Sequence, residues 1–378
     1  MPSYHQMGND STNLLFQPEL ADFAGAIISP VNESETQAKA LVQRVRTELP
    51  GKEMIFDPQL YFPQSDRGKL RTWRHFPTDV DTADPSSSGW WTNIIRKIAE
   101  VAIDLEPDSL CSPAIVPRAF SNNAFYTRMI EVGNELATRL PLHSVLQTLV
   151  VGFDDLTVPT RAHELASIVS SAETSRVYLV INSDVNPRRE LNDPEGLKGV
   201  MRLINLLEDG GQQVLVGFCS TDMALWKAAG ATSCATGKFF NLRRFTKSRF
   251  EEPTEGGRQL PYWCEEGLMA YLRESDIVRV QQAGGFSSAS LGNPFSEQIL
   301  DAIDQPKAWL ALAWRHYLWW FAAFEHQANR AHVAATLRAA DDLWKQYEMA
   351  SSPLMEERQN DGTWVRQWRR AVSEFASA

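Results

Sequence analysis

Histidine, cysteine, long apolar runs and net positive charge are all scarce in this chain of 378 residues, and each shortage removes a class of function. There are seven histidines, none in H-x-H or H-E-x-x-H spacing and none at the end of a strand-like apolar run. A metal hydrolase built on clustered imidazoles needs a histidine there, and so does a Ser-His-Asp triad. The G-x-S-x-G elbow of serine hydrolases is missing, and no G-x-G-x-x-G follows the first strand-like run. The four cysteines, Cys111, Cys219, Cys234 and Cys264, form no C-x-x-C pair and read as buried free thiols of a cytoplasmic protein. Cys219 ends a strand-like run, but without a histidine partner it reads as a small hydrophobe rather than a nucleophile.

No stretch reaches the roughly 18 apolar residues of a membrane helix. The nearest, Ala308 to Phe324, is broken by Arg315 and His316. The N-terminal stretch has neither the basic start nor the apolar core of a secretory signal. A formal net charge of -10 argues against broad, non-specific nucleic-acid binding and leaves room for a local cationic site.

What the sequence does contain is a rhythm. Near-continuous apolar runs such as "TLVVGF", "VYLVI" and "QVLVGF" alternate with amphipathic helical patterns from about residue 22 to 325. Such runs suit parallel strands covered on both faces, joined by helical crossovers. Seven confident alternations, with Asp276 to Gln282 as a candidate last strand, predict a TIM-barrel-like (β/α)8 barrel. An open doubly wound sheet is the alternative. The expected organisation is a flexible segment over 1–20, an α/β domain over 21–325, and a helical extension over 326–378. Glu265 to Glu274 reads as a helix. The extension and the helix before it are rich in Trp, and this aromatic face either packs on the barrel or offers a protein-binding surface.

In either architecture the site lies where the strands end. Asp57 and Asp154 each follow an apolar run directly, and Asp155 adjoins the second. These three are the candidate acid, base or nucleophile, a set that also suits glycosidic-bond chemistry such as base exchange. The same carboxylates would admit Mg²⁺, although no cofactor is required and no metal ligand set is assigned. Tyr61, Asn182 and Asp222 end their runs as candidate substrate contacts. Asp184 and Asp222 also suit turn or helix-cap work.

One stretch departs from the acidic average. "GATSCATGKFFNLRRFTKSRF" (Gly230 to Phe250) holds Lys238, Arg243, Arg244, Lys247 and Arg249. It begins on a strand-like run taken as the seventh, whose following loop often helps bind phosphate in barrels. Lys238, Asn241, Arg243 and Arg244 are therefore the candidate contacts to a small anionic substrate: a phosphorylated sugar, a nucleotide or a nucleic-acid end. A solvated basic edge paired to "EEPTEGG" downstream is the plainer reading. The long segment from Phe62 to Ser88, with Arg67, Lys69, Arg71, Arg74 and His75, is a candidate lid or a disordered loop. A second function class also fits: a silent barrel serving as an assembly subunit through its Trp-rich helices.

Overall fold

The computed structural model describes residues 3–17, 21–77, 86–252, 259–283, 285–349 and 361–377. Eight parallel strands close into a barrel: β1 (Ser3–Gln6), β2 (Phe23–Ile28), β3 (Glu53–Phe56), β4 (Ser109–Cys111), β5 (Ser144–Gly152), β6 (Arg176–Asn182), β7 (Gln213–Gly217) and β8 (Ser233–Thr236). Each pairs with its neighbour in chain order, and β1 pairs with β8 to close the ring. The (β/α)8 barrel read from the sequence is the fold of this chain.

The strand count was right for a partly wrong reason. The first strand is Ser3–Gln6, inside the segment expected to be flexible. Its residues, SYHQ, form no apolar run, and this strand is held by pairing on both sides. Asp276 to Gln282, expected as a strand, belongs to the helix α8 (Glu274–Gln282). The cationic stretch therefore follows the eighth strand. Glu265 to Glu274 is not one helix. It holds a hairpin of β9 (Trp263–Glu265) and β10 (Ala270–Leu272), with Glu274 opening α8.

After the short α1 (Thr12–Leu15), the crossovers are α2 (Glu35–Glu48), α3 (Ser88–Leu105), α4 (Asn123–Arg139), α5 (Arg161–Val169), α6 (Pro194–Asp209) and α7 (Met223–Ala228). Their starts are written locally. Ser34 and Gln37 form a capping box on α2, and Asp193 caps α6 ahead of Pro194 at its first turn. Within α6, Gly199 lies so close to Leu156 that a Cβ would stand 1.9 Å from the Leu156 carbonyl oxygen. Gly199→Ala is therefore expected to destabilise the fold by about 1–3 kcal/mol, read by urea unfolding. An unchanged midpoint would mean that α6 can slide.

The N-terminal end of the barrel is sealed by charge. Arg176 holds Glu53 through two contacts, Nη1–Oε1 2.6 Å and Nη2–Oε2 3.1 Å, and Tyr4 and Ser109 also donate to Glu53.

Beyond α8 come α9 (Ser288–Leu291), α10 (Ser296–Asp304), α11 (Leu310–Gln327), α12 (Arg330–Met349) and α13 (Thr363–Ser377). Trp309, Trp320, Phe321 and Phe324 are buried in the same core as β7, β8 and α12. Most of the aromatic face is thus packing surface, with Trp319 partly buried against the same core. No helix among the described residues is long and apolar enough to cross a membrane.

Candidate functional site

The segment after β8 folds back over the C-terminal mouth of the barrel. Phe245 bridges to Asn182 at the end of β6, and its ring meets Tyr61 at 4.9 Å and Phe218 at 5.2 Å. Phe250 joins the same cluster, and its carbonyl accepts from Ser65 Oγ at 2.6 Å. The centre of the mouth is therefore covered by aromatic rings. Open space lies to one side, above the loops that follow β1, β2 and β8.

That space is a cleft of ≈ 350 Å³. Among the described residues five cations line it, Arg67, Arg188, Lys238, Arg243 and Arg249, and no carboxylate does. In a chain of net charge -10 such segregation concentrates positive potential in one place. Lys238, Arg243 and Arg249 are each no more than 4 % exposed. Burial pushes the Lys238 ammonium down and brings Arg249 down to about 10. Arg67 pushes Arg249 in the same direction, and Asp57 opposes both. Like charges held together in this way would be relieved by an anion between them.

The five cations of the quoted stretch thus part company. Lys238 donates to the Asp10 carbonyl at 3.0 Å and lies over the Trp314 ring at 4.5 Å. Arg243 donates to the Gly237 and Lys238 carbonyls and stacks on Tyr317 at 3.4 Å, so it lends charge while much of its fork is engaged. Arg249 Nη2 donates to Ser29 Oγ at 3.0 Å and reaches Asn32 Oδ1 at 3.5 Å. Lys247 is exposed and paired with Glu251. The rest of "EEPTEGG" lies largely outside the described residues.

Arg244, expected to hold the anion, faces inward. Its Nη2 sits 3.5 Å from Glu190 Oε2 and 3.4 Å from Asp222 Oδ2, all with little exposure. Two carboxylates on one guanidinium leave a proton to be shared, and burial brings Glu190 up to about 7. Asp222, at the head of α7, accepts from Ser220 N at 2.7 Å. The two carboxylates come from the loops after β6 and β7, and Glu190 lies too far past the end of β6 to carry a strand-end signal.

Asp57 lies in the polar layer beneath Arg249. It is 1 % exposed, and its carboxylate accepts from Gln59 N and Tyr61 Oη, both at 2.9 Å. Burial pushes it up to about 6, against the pull of those hydrogen bonds and of Arg249. Gln59, at φ 50°, turns its carbonyl oxygen to Ser29 Oγ at 3.1 Å. Ser29 thus links Asp57's turn to Arg249.

None of the expected acids is among the described residues that line the cleft: Asp57 is sealed from it, and the others stand elsewhere. Asp154 is exposed, and Asp155 is tied to Arg161 at 2.6 Å, fixing the start of α5. Asn182 serves the backbone bridge to Phe245, and Asp184 is exposed. Asn241 does line the cleft. Cys219 is buried, its thiol donating to the Val216 carbonyl. Among the described residues no three His, Cys, Asp or Glu side chains converge as a metal site.

The presumed lid is largely structural in its described part. Trp73, His75 and Phe76 are buried, Trp73 Nε1 donates to the Glu33 carbonyl, and Arg74 pairs with Glu35. Only Arg67 reaches the cleft. Residues 78–85, including most of "DTADPSSSG", lie outside the described residues. His5, placed outside the strands by sequence, sits on β1, where burial lowers it to about 3 and keeps it neutral.

The chain is a (β/α)8-barrel protein by its topology. No family model matches it, and no curated protein does. Among solved structures it is similar to the catalytic domain of a GH26 endo-β-1,4-mannanase from Bacillus sp. JAMB-750, at 14% identity over 84% of this chain and 90% of that one, TM-score 0.42. It is also similar to a thermostable mutant of a xylanase from Cellvibrio japonicus, at 11% identity over 62% and 85%, TM-score 0.36. A type I 3-dehydroquinate dehydratase from Clostridium difficile matches at 8% identity over 66% and 89%, TM-score 0.33. Likenesses this distant carry no argument about this chain, whose fold rests on its own strand order.

Proposed function

We propose that this protein is a barrel enzyme acting on a small anionic, phosphorylated substrate bound in the cleft beside the mouth. The observation that carries this reading is the set of five cations, with no carboxylate among the described lining residues. Arg249 and Lys238 hold the anion, and Arg67, Arg188 and Arg243 add charge around it. Asp57 is the proton-holding group. Placed near 6 by burial, it can give or take a proton around neutral pH, and it holds the Tyr61 hydroxyl as a hydrogen-bond donor. Such a group suits acid–base work, at a glycosidic bond among others.

The proton balance makes the reading testable. An anion on Arg249 draws that cation away from Asp57 and adds negative charge nearby, so the carboxyl rises further and takes up a proton. Calorimetric titration with inorganic phosphate and pyrophosphate at low salt is expected to give saturable binding that weakens as salt rises. Near pH 6–7, with sulfate as the probe because its own charge does not change there, the heat should depend on the buffer's ionisation enthalpy, with proton uptake. Absence of saturable binding would remove the proposal. Binding without proton uptake would remove Asp57 from it.

A further inference from the structure

The cleft offers more than charge. Four aromatic side chains, Phe239, Phe240, Tyr262 and Trp314, stand on its wall. They are set as two edge-to-face pairs: Phe239 against Trp314 at 5.5 Å, and Phe240 against Tyr262 at 5.1 Å. Two buried polar atoms of cleft residues have no partner among the described residues. One is Arg249 Nε, a donor, and the other is Asn241 Oδ1, an acceptor. Buried polar atoms are nearly always satisfied, so unpaired ones at a cleft point to what the cleft takes in.

We propose that the ligand of this cleft is a nucleotide, its phosphate on Arg249 and Lys238 and its base against the aromatic wall. This rests on the anion-binding reading above. Inorganic phosphate or a simple sugar phosphate uses the cations, but it offers no flat ring. A base brings a π-face to the aromatic wall, and a base N–H or ribose hydroxyl answers Asn241 Oδ1. Cationic groups interleaved with aromatic ones are the arrangement by which proteins bind nucleotide units without demanding one sequence. The cleft falls within the usual range of small-ligand sites, about 300–1,000 Å³. A free nucleotide and the phosphorylated end of a single strand present the same chemistry.

The test is a comparison of ligands on the wild-type chain: pyrophosphate, ribose 5-phosphate, adenosine and uridine monophosphates, and a short phosphorylated single-stranded oligonucleotide. The nucleotides are expected to bind about tenfold or more tightly than ribose 5-phosphate. Phe240→Leu and Trp314→Leu should shrink that margin and leave ribose 5-phosphate affinity unchanged, with far-UV circular dichroism checking the fold. Tighter binding of the oligonucleotide would identify a strand end as the source. Tighter binding of the mononucleotides would identify free nucleotide. Equal affinity for nucleotides and ribose 5-phosphate would overturn the nucleotide proposal while the anion site stands. No binding of any phosphate would overturn both.

Discussion

Arg249→Met is expected to weaken phosphate and pyrophosphate binding by about one to two orders of magnitude, because a charge-assisted hydrogen bond to an anion contributes about 1.5–3 kcal/mol. Arg244→Met, five residues earlier, should leave binding nearly unchanged. The two arginines are equally hidden, but their surroundings differ. Arg249 lines the cleft, and burial lowers its own ionisation. Arg244 is already neutralised by Glu190 and Asp222. Its loss should appear as lower stability above about pH 7, where Glu190 ionises, and much less below it. Calorimetric titration of both variants, with thermal melts at pH 6 and pH 8, separates the roles. If Arg249→Met binds like wild type, or if Arg244→Met loses binding equally, the cleft is not the anion site. Asp57 gives a control on the same pair. Without Arg249 its carboxyl should rise further, so the variant should remain folded best on the acid side of neutrality.

Lys227→Met is expected to have the largest effect on stability, about 3–5 kcal/mol at pH 8, as for other buried pairs that lose one partner. Lys227 is sealed at the base of α7. Its ammonium donates to the Ala231 and Thr232 carbonyls and lies 3.6 Å from Glu325. Glu325, on α11, also accepts from Cys234 N at 2.8 Å and from Ser3 Oγ. It therefore ties that helix to the seam where β1 and β8 close the barrel. Burial brings Glu325 up to about 7 even with the lysine present. Removing Lys227 raises it further, so at pH 6 the folded variant keeps the carboxyl protonated and loses less. A raised carboxyl is a folded-state proton site, and stability falls as pH climbs through its pKa. The difference from wild type in urea unfolding should thus grow from pH 6 to pH 8. A pH-independent difference would mean that Glu325 is not the group left exposed to the loss.

The legible features were those written in neighbouring residues. Short apolar runs, the Ser34 capping box and the Asp193–Pro194 start of α6 all show locally, and together they give the alternation of strand and helix. β1 was missed because Ser3–Gln6, SYHQ, is a polar stretch with no apolar run, although pairing with β2 and β8 holds it. The hairpin around Glu265 was misread because its alternation spans only three residues on each side. At the site, Asp57, Tyr61, Lys238, Asn241 and Arg243 come to the mouth where strand ends put them. Asp154 and Asp155 had the same local signature as Asp57, yet they point away into solvent and to Arg161.

The sequence by itself determined a chain that alternates parallel strands with helices and concentrates cations in one stretch of an acidic protein; closure into a barrel rather than an open sheet came from β1 pairing with β8. Tertiary structure alone decided which of those cations meet. Lys238 and Arg249 come from one segment, Arg67 and Arg188 from loops far away in the chain, and the fold brings all four to one cleft. It also turned Arg244 inward between two carboxylates and left Lys247 in solvent. Charge can be counted along a chain. Whether it is paired, buried or open to a ligand depends on neighbours distant in sequence, and that neighbourhood exists only once the barrel has closed.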